Sequence, residues 1–261
     1  MARLGRVLII AGSDSGGGAG VQADIKTVTA LGGYAATAIT AVTVQNTLGV
    51  MGVHPIPLDV VEAQARAVLD DIGADAAKTG MLFSRELIET VAGYLEAHRV
   101  PLVVDPVMVA SSGAQLLQDD AVEALVGRLF PLATVVTPNL LEAEALTGLH
   151  GASRRHLAER LVELGAPAAL VTGGHGETAV DHLFDGREHL ELFVDRHGVA
   201  ATHGAGCTHS ATLCAGLARG LPLEQAAREA AHAASEAVRH GLVEIGAGEG
   251  PVDVLNVKGA A

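Results

Sequence analysis

The chain has 261 residues, 49% of them hydrophobic and 18% charged, with 32 glycines and a formal net charge of −13. That composition describes a globular protein rich in tight turns and excludes a disordered one. The acidic balance argues against an unspecific binder of nucleic acid or anionic membrane, although one local nest of N–H groups can hold a phosphate against the overall field.

The first apolar run, Val7-Leu8-Ile9-Ile10-Ala11, is too short for a secretory signal and has no cleavage site behind it, so it predicts a buried strand. No uninterrupted apolar stretch approaches the roughly 18 residues of a membrane span. Along the chain, short apolar runs alternate with amphipathic ones. Strands are expected at 6–11, 36–44, 74–79, 101–105, 134–137, 168–172, 178–184 and 189–194. Helices are expected at 18–31, 58–71, 84–97, 118–129, 140–147, 153–165, 207–219 and 222–241. This β-then-α order predicts an α/β fold with a mostly parallel sheet covered on both faces. Asp185-Gly186 between the last two strands is a hairpin signal. Neither a composition shift nor a linker divides the chain, which reads as a single domain over 1–261; the Gly-rich tail 242–261 carries no motif. Cys207 and Cys214 fall about 10 Å apart along one expected helix, too far for a disulfide, and fit a reducing compartment.

In such sheets the ligand sits beyond the carboxyl ends of the strands, and the informative residues cluster there. Gly12-Ser-Asp-Ser-Gly-Gly-Gly-Ala-Gly20 follows the first strand. It loosely matches a dinucleotide loop, but no carboxylate lies between Asp24 and Asp59 to take a ribose hydroxyl, so a Rossmann reading fails. Asp105 ends another strand before Pro106; it reads either as a cap for local N–H groups or as a magnesium-side acid. Asn139 and Glu142, i and i+3 after Pro138, read either as a helix capping box or as a metal and phosphate element.

Thr202-His-Gly-Ala-Gly-Cys-Thr208 opens the long Ala-rich helix. A glycine turn at a helix start exposes N–H groups at the positive end of the helix dipole, which suits an anion. The Walker pattern with its lysine occurs nowhere in the chain. At this helix start the dipole is expected to lower the Cys207 thiol. His209, two residues on, points away from Cys207 around the helix and His203 flanks the other side, so a cysteine-hydrolase reading lacks its base. His203, Cys207, His209 and Cys214 have no zinc-ligand spacing.

Taken together, these runs resemble the bacterial hydroxymethylpyrimidine/phosphomethylpyrimidine kinases of thiamine biosynthesis, within the ribokinase-like superfamily. The matching stretches are Gly12–Gly20 with Gln22-Ala23-Asp24, Ile39–Thr47, Lys78-Thr-Gly-Met81, Asp105-Pro-Val-Met108, Thr137–Glu144 and His203–Thr208, in family order over nearly the whole chain. The resemblance implies a three-layer α/β/α kinase that phosphorylates 4-amino-5-hydroxymethyl-2-methylpyrimidine to its monophosphate and then to the diphosphate. ATP would be the donor and Mg²⁺ the cofactor in both steps. By the same resemblance Asp24 and Gln45 recognise the amino and ring nitrogens, and Gly12, Val44, Met81 and Val107 line the pocket. Asn139 and Thr172 meet ATP, Asp105 and Glu142 serve the metal, and Gly204, Ala205, Gly206 and Cys207 form the anion hole. Cys207 takes the position of the ribokinase aspartate base and is expected to accept the hydroxyl proton. The resemblance also implies a cytoplasmic homodimer with neither nucleic-acid nor membrane partners. One departure stands out: the family reads Lys-Gly-Gly-His where this chain has Thr172-Gly173-Gly174-His175. The rival readings are a pyridoxine/pyridoxal kinase, which shares the hydroxymethyl group, and a non-catalytic pyrimidine sensor.

Overall fold

A computed structural model of the chain describes residues 4–109, 113, 115–118, 120–173 and 179–259. Gly174, His175 and the first residue of the strand expected at 178–184 lie outside the described residues.

Nine strands form one sheet: β1 (Arg6–Asp14), β2 (Tyr34–Asn46), β3 (Gly49–Pro55), β4 (Ala76–Thr79), β5 (Leu102–Val104), β6 (Val135–Val136), β7 (Ala169–Val171), β8 (Val180–Phe184) and β9 (His189–Phe193). Their order is β3-β2-β1-β4-β5-β6-β7-β8-β9. The core from β2 to β7 is parallel, and the sheet is closed at each edge by antiparallel strands, β3 on one side and β8–β9 on the other.

Helices cover both faces, as the alternating pattern predicts. Helices α1 (Gly20–Ala30), α7 (Ala205–Ala218) and α8 (Leu223–Arg239) pack on one side. On the other lie α2 (Leu58–Ala67), α3 (Arg85–Ala97), α4 (Ala121–Ala124), α5 (Leu140–Thr147) and α6 (Arg154–Glu163). Because side chains alternate along a strand, β1 serves both cores: Val7, Ile9 and Ala11 face the α1/α7/α8 layer, and Leu8 and Ile10 face the other. A strand buried on both faces has no room for polar residues until its end, and that is where Ser13 and Asp14 stand.

Three expectations change, the first being the helix expected at 58–71, which is regular only over Leu58–Ala67 and continues as a wider turn over Val68–Ile72. Strand β3 was not anticipated: Gly49-Val-Met-Gly-Val-His-Pro55 has two glycines and no clean alternation, and it is held as a strand by antiparallel pairing with the long β2. The helix expected at 118–129 is only Ala121–Ala124 as a regular helix; it continues as a wider turn over Leu125–Leu129 and a tight one over Phe130–Leu132 before β6. Pro131 takes no part in helical N–H bonding, and Leu129 and Phe130 are buried, so core packing sets the path.

Ile9 is wholly buried between β2, β4 and the α1/α7 layer. Ile9→Ala is expected to lower unfolding free energy by about 2–5 kcal/mol through lost burial plus a cavity, read from urea denaturation.

Candidate active site

Beyond the carboxyl ends of β1, β4, β5, β6 and β7 lies a cavity of about 550 Å³. Its floor is built from strand ends (Gly12, Met81, Asp105, Thr137, Thr172) and one wall from the start of α7, Gly204 to Cys207.

The two glycine turns that shape it are interlocked. Gly204 has φ +87°, a left-handed conformation, and a methyl group there would overlap the Gly18 carbonyl. A side chain on Gly18 would in turn strike the His203 ring. Asp14 ties the two turns together. Its carboxylate accepts the N–H groups of Gly16 (2.7 Å), Gly18 (3.1 Å) and Ala19 (2.9 Å), and Nε2 of His203 lies 2.9 Å away. Burial works against this charge, but the His203 bond and the N–H donors of Ala19 and Gly16 outweigh it, and the Asp14 carboxyl is held below the usual carboxylate range. Gln22 returns from α1, accepting the Asp14 N–H at 2.9 Å and donating to Ser13 at 2.8 Å.

Gly204 is the N-cap of α7, which starts at Ala205, two residues earlier than expected. The Ala205 N–H returns to the Thr202 carbonyl and the Thr208 N–H to Gly204. Between them the N–H groups of Gly206 and Cys207 find no acceptor among the described residues. They face the cavity at the positive end of a 14-residue helix, a place for an anion.

Acids line the same cavity. Asn139 caps α5, its side chain accepting the Glu142 N–H at 3.0 Å while Glu142 accepts the Asn139 N–H at 3.0 Å. The capping box forms, and both residues also line the cavity; the structural and functional readings coincide. Burial, and next the charge of Asp105, push the Glu142 carboxyl up to about 8. Asp105 is buried, takes a hydrogen bond from Ser210 at 2.7 Å and sits 3.6 Å from Nζ of Lys78. Two carboxyls this close disfavour a second charge unless a cation joins them. Among the described residues no three His, Cys, Asp or Glu side chains converge on a metal. One or two carboxylates plus phosphate and water is the donor set that suits Mg²⁺, so Asp105 and Glu142 fit a magnesium ion brought with a nucleotide.

The residues from 14 to 253 match the family model for phosphomethylpyrimidine kinase. The chain belongs to the phosphomethylpyrimidine kinase family. It is 49% identical to a hydroxymethylpyrimidine/phosphomethylpyrimidine kinase of Rhizobium meliloti, the alignment covering 94% of this chain and 95% of that one. Among solved structures it is similar to a Bacillus subtilis pyridoxal kinase in an ADP complex, with a TM-score of 0.90 at 36% identity over 98% of this chain and 99% of that one. It is also similar to a phosphomethylpyrimidine kinase of Clostridium difficile, with a TM-score of 0.77 at 38% identity over 87% and 96% of the two chains. The ribokinase-like fold follows from these likenesses.

Most of the residues expected from the family resemblance meet in the cavity: Gly12, Gln45, Met81, Asp105, Val107, Asn139, Glu142, Thr172 and Gly204, Ala205, Gly206 and Cys207. Met81, Val107, Leu116 and Ala41 form an apolar wall at the Gly12 end. Two residues do not join them. Val44 lies on β2 between Thr43 and Gln45, which both face the cavity; the strand's alternation turns Val44 outward, where it is 57% exposed. Asp24 is wholly buried beneath the cavity, its Oδ1 2.6 Å from Nζ of Lys78. It is not among the residues that line the cavity.

Lys78 opens one of the matching stretches, but the resemblance assigned it no role. It is among the largest wholly buried side chains of the described residues, and it contacts Asp24 and Asp105 while lining the cavity. Desolvation opposes its charge, but Asp24 and then Cys207 and Asp105 hold it as an ammonium well above the ordinary lysine range. Burial lifts the Asp24 carboxyl to about 6 against the pull of Lys78, so the pair is ionised at neutral pH.

The expectation for Cys207 reverses. Burial drives its thiol up to about 12; Lys78 and the Gly20 N–H pull it down, and Asp24 and Asp105 push it further up. A helix dipole does not overcome desolvation beside two carboxylates, so Cys207 is a neutral thiol near pH 7.

Lys78→Met strands the Asp24 charge in the core and is expected to cost about 3–5 kcal/mol in chemical denaturation. Adding Asp24→Leu removes the stranded charge and is expected to recover most of that loss. Equal stability of the single and double variants would contradict the assignment.

Proposed function

We propose that the protein phosphorylates 4-amino-5-hydroxymethyl-2-methylpyrimidine from ATP, first to the monophosphate and then to the diphosphate, as a kinase of thiamine diphosphate biosynthesis. One observation carries the reading: the N–H groups of Gly206 and Cys207, which have no acceptor among the described residues, line one cavity with the carboxyls of Asp105 and Glu142. An anion cradle and a carboxylate metal seat in one cavity are what transfer of a phosphoryl group from a metal–nucleotide requires. Membership of the phosphomethylpyrimidine kinase family supports the same substrate.

The acceptor ring lies against Met81, Val107 and Gly12, with the Gln45 amide offering the hydrogen bonds that choose a heterocycle. Thr43 donates to Gln45 Oε1 at 3.1 Å, which orients that amide. Asn139 and Thr172 meet the nucleotide. Asp105 and Glu142 hold Mg²⁺, which supplies positive charge to the donor phosphates. The N–H groups of Gly206 and Cys207 take the charge spread over the transferred group; they are fixed before reaction, which is where such donors act most strongly.

A neutral Cys207 suits both steps. In a loose transition state the acceptor hydroxyl loses its proton late, so a strong base is not demanded. In the second step the acceptor is already a phosphate, and a thiol places no negative charge against it.

Pyridoxal phosphorylation is the second reading, favoured by the likeness to pyridoxal kinases. We also infer a cytoplasmic homodimer acting as one kinase domain over the whole chain. The two free cysteines fit a reducing compartment, and the exposed apolar side chains Val42, Val44 and Met51 on β2 and β3 give a dimer a face to cover.

Purified protein with Mg-ATP is expected to phosphorylate the hydroxymethylpyrimidine and its monophosphate, with phosphate transfer followed by chromatography, and chelation of Mg²⁺ is expected to stop both. Turnover of pyridoxine alone would overturn the substrate. Nucleotide binding without any transfer would favour the sensor.

A further inference from the structure

The segment after α8, which carries no motif in the sequence, is built into the site. Its two ends are joined where the Leu242 N–H meets the Pro251 carbonyl at 2.9 Å, and it is fixed to α8 where the Asp253 N–H meets the Ala237 carbonyl at 3.0 Å. Asp253 is buried, and its carboxylate accepts the N–H groups of Val257 and Lys258 at 3.0 and 3.2 Å. Between those anchors the chain crosses three loops whose residues line the cavity. Thr47, two residues beyond Gln45, accepts the Glu249 N–H on its carbonyl at 3.0 Å and the Gly248 N–H on its hydroxyl at 3.2 Å. A side chain on Gly248 would strike the Thr47 carbonyl, so the approach needs glycine there. Before α7, the His203 N–H donates to the Gly250 carbonyl at 3.2 Å, and the His203 carbonyl accepts the Val252 N–H at 3.0 Å. A methyl group on Gly18, in the first glycine loop, would press against Pro251.

Glu249 holds two of these loops at once. Its N–H is on Thr47, and its carboxylate accepts the Thr202 hydroxyl. It is half-buried and lines the cavity together with Thr202, Gln45 and the anion turn. A hydroxyl bonded to a carboxylate is a charge-assisted contact, roughly twice as strong as a neutral one. The charge also works against the site, since a carboxylate on the wall of a phosphate-binding cavity repels its ligand. A positional role is therefore separable from an electrostatic one: an amide at 249 keeps an acceptor for Thr202 without the charge.

We propose that Glu249 is a positioning residue for phosphoryl transfer, clasping the loop that follows Gln45 to the turn that carries the Gly206 and Cys207 donors. This rests on the kinase reading above. Gln45 serves the acceptor heterocycle and the turn serves the transferred group, and the two lie on segments far apart in the chain. Transfer needs the reacting atoms about 3–3.5 Å apart, and a misplacement of about 1 Å is enough to lose about 100-fold in rate. Strand β2 fixes Gln45 and helix α7 fixes the donors; the clasp sets one against the other. The Gly18–Gly204 contact joins the turn to the loop after β1, and Glu249 joins it to the loop after β2. Binding of either ligand alone does not need that second relation, whereas transfer between them does.

The test is steady-state kinetics of pyrimidine phosphorylation, with ATP and pyrimidine varied separately, alongside thermal unfolding. In Glu249→Ala, kcat is expected to fall about 10- to 100-fold, with both KM values and the unfolding temperature staying near those of the wild type. A merely structural clasp would instead lower the unfolding temperature and leave the kcat of the folded protein unchanged. Thr202→Val removes the other end of the bond and is expected to lower kcat alike. The double variant is expected to be no slower than either single one, because the same bond is lost in all three. Glu249→Gln keeps an acceptor for Thr202 and is expected to keep wild-type kcat. If Glu249→Ala folds poorly, Thr202→Val, which keeps the side-chain shape, decides together with Glu249→Gln. Wild-type kcat in Glu249→Ala and Thr202→Val, multiplied losses in the double variant, an equal loss in Glu249→Gln, or a rise in one KM with kcat unchanged overturns the proposal and leaves the kinase reading standing. A wild-type protein that transfers no phosphate overturns both.

Discussion

The site depends on one close approach: the Gly18 carbonyl lies against the backbone of Gly204, where a methyl group would collide with it. The contact brings the loop after β1 onto the first turn of α7, two segments separated by most of the chain. Asp14 fixes it with four contacts, three to the N–H groups of its own loop and one to His203. From this follow the orientation of the Gly206 and Cys207 N–H groups, the place of Gln45 beside His203, and the position of Ser210, one turn on, against Asp105. The anion turn and the acidic wall are therefore positioned by the same helix.

The second constraint is electrostatic. The interior around the cavity holds Asp14, Asp24, Asp105, Glu142 and Asp181, all largely buried. Each is answered by a specific partner: His203 for Asp14, Lys78 for Asp24 and Asp105, His209 for Asp181. Among the described residues Glu142 is the exception, with N–H partners but no cation, and its carboxyl is pushed up to about 8. A metal between it and Asp105 would favour the charged form of both. Burial, and the same crowding of negative charge, hold the Cys207 thiol above its ordinary range, and under the proposed function placed N–H dipoles and cations take the weight that a thiolate base would carry.

Much of this was legible before any fold was known. The βα alternation gave the layers, and the strand-end position of Gly12, Asp105, Asn139 and Thr172 gave the site, because a parallel sheet gathers such ends along one edge. What the residues did not disclose depends on distance through space. Asp24 lies in a family motif, but only the meeting of its side chain on α1 with Lys78 on β4 shows that Lys78 neutralises it. Val44 sits among pocket residues in sequence and is turned away by strand alternation. His203 and His209, set aside as poorly placed for Cys207, answer carboxylates from other elements. Strand β3 escaped because its pairing with β2, not its composition, makes it a strand.

The central claim is that backbone donors held by the Gly18–Gly204 contact stabilise the transferred phosphoryl group. Gly204→Ala tests it most directly, since it adds one methyl group, removes no functional side chain and must displace the turn. With folding confirmed by circular dichroism, the account predicts that kcat for pyrimidine phosphorylation falls about 100- to 1000-fold, the range for losing one such donor. A folded Gly204→Ala protein with wild-type kcat would contradict it.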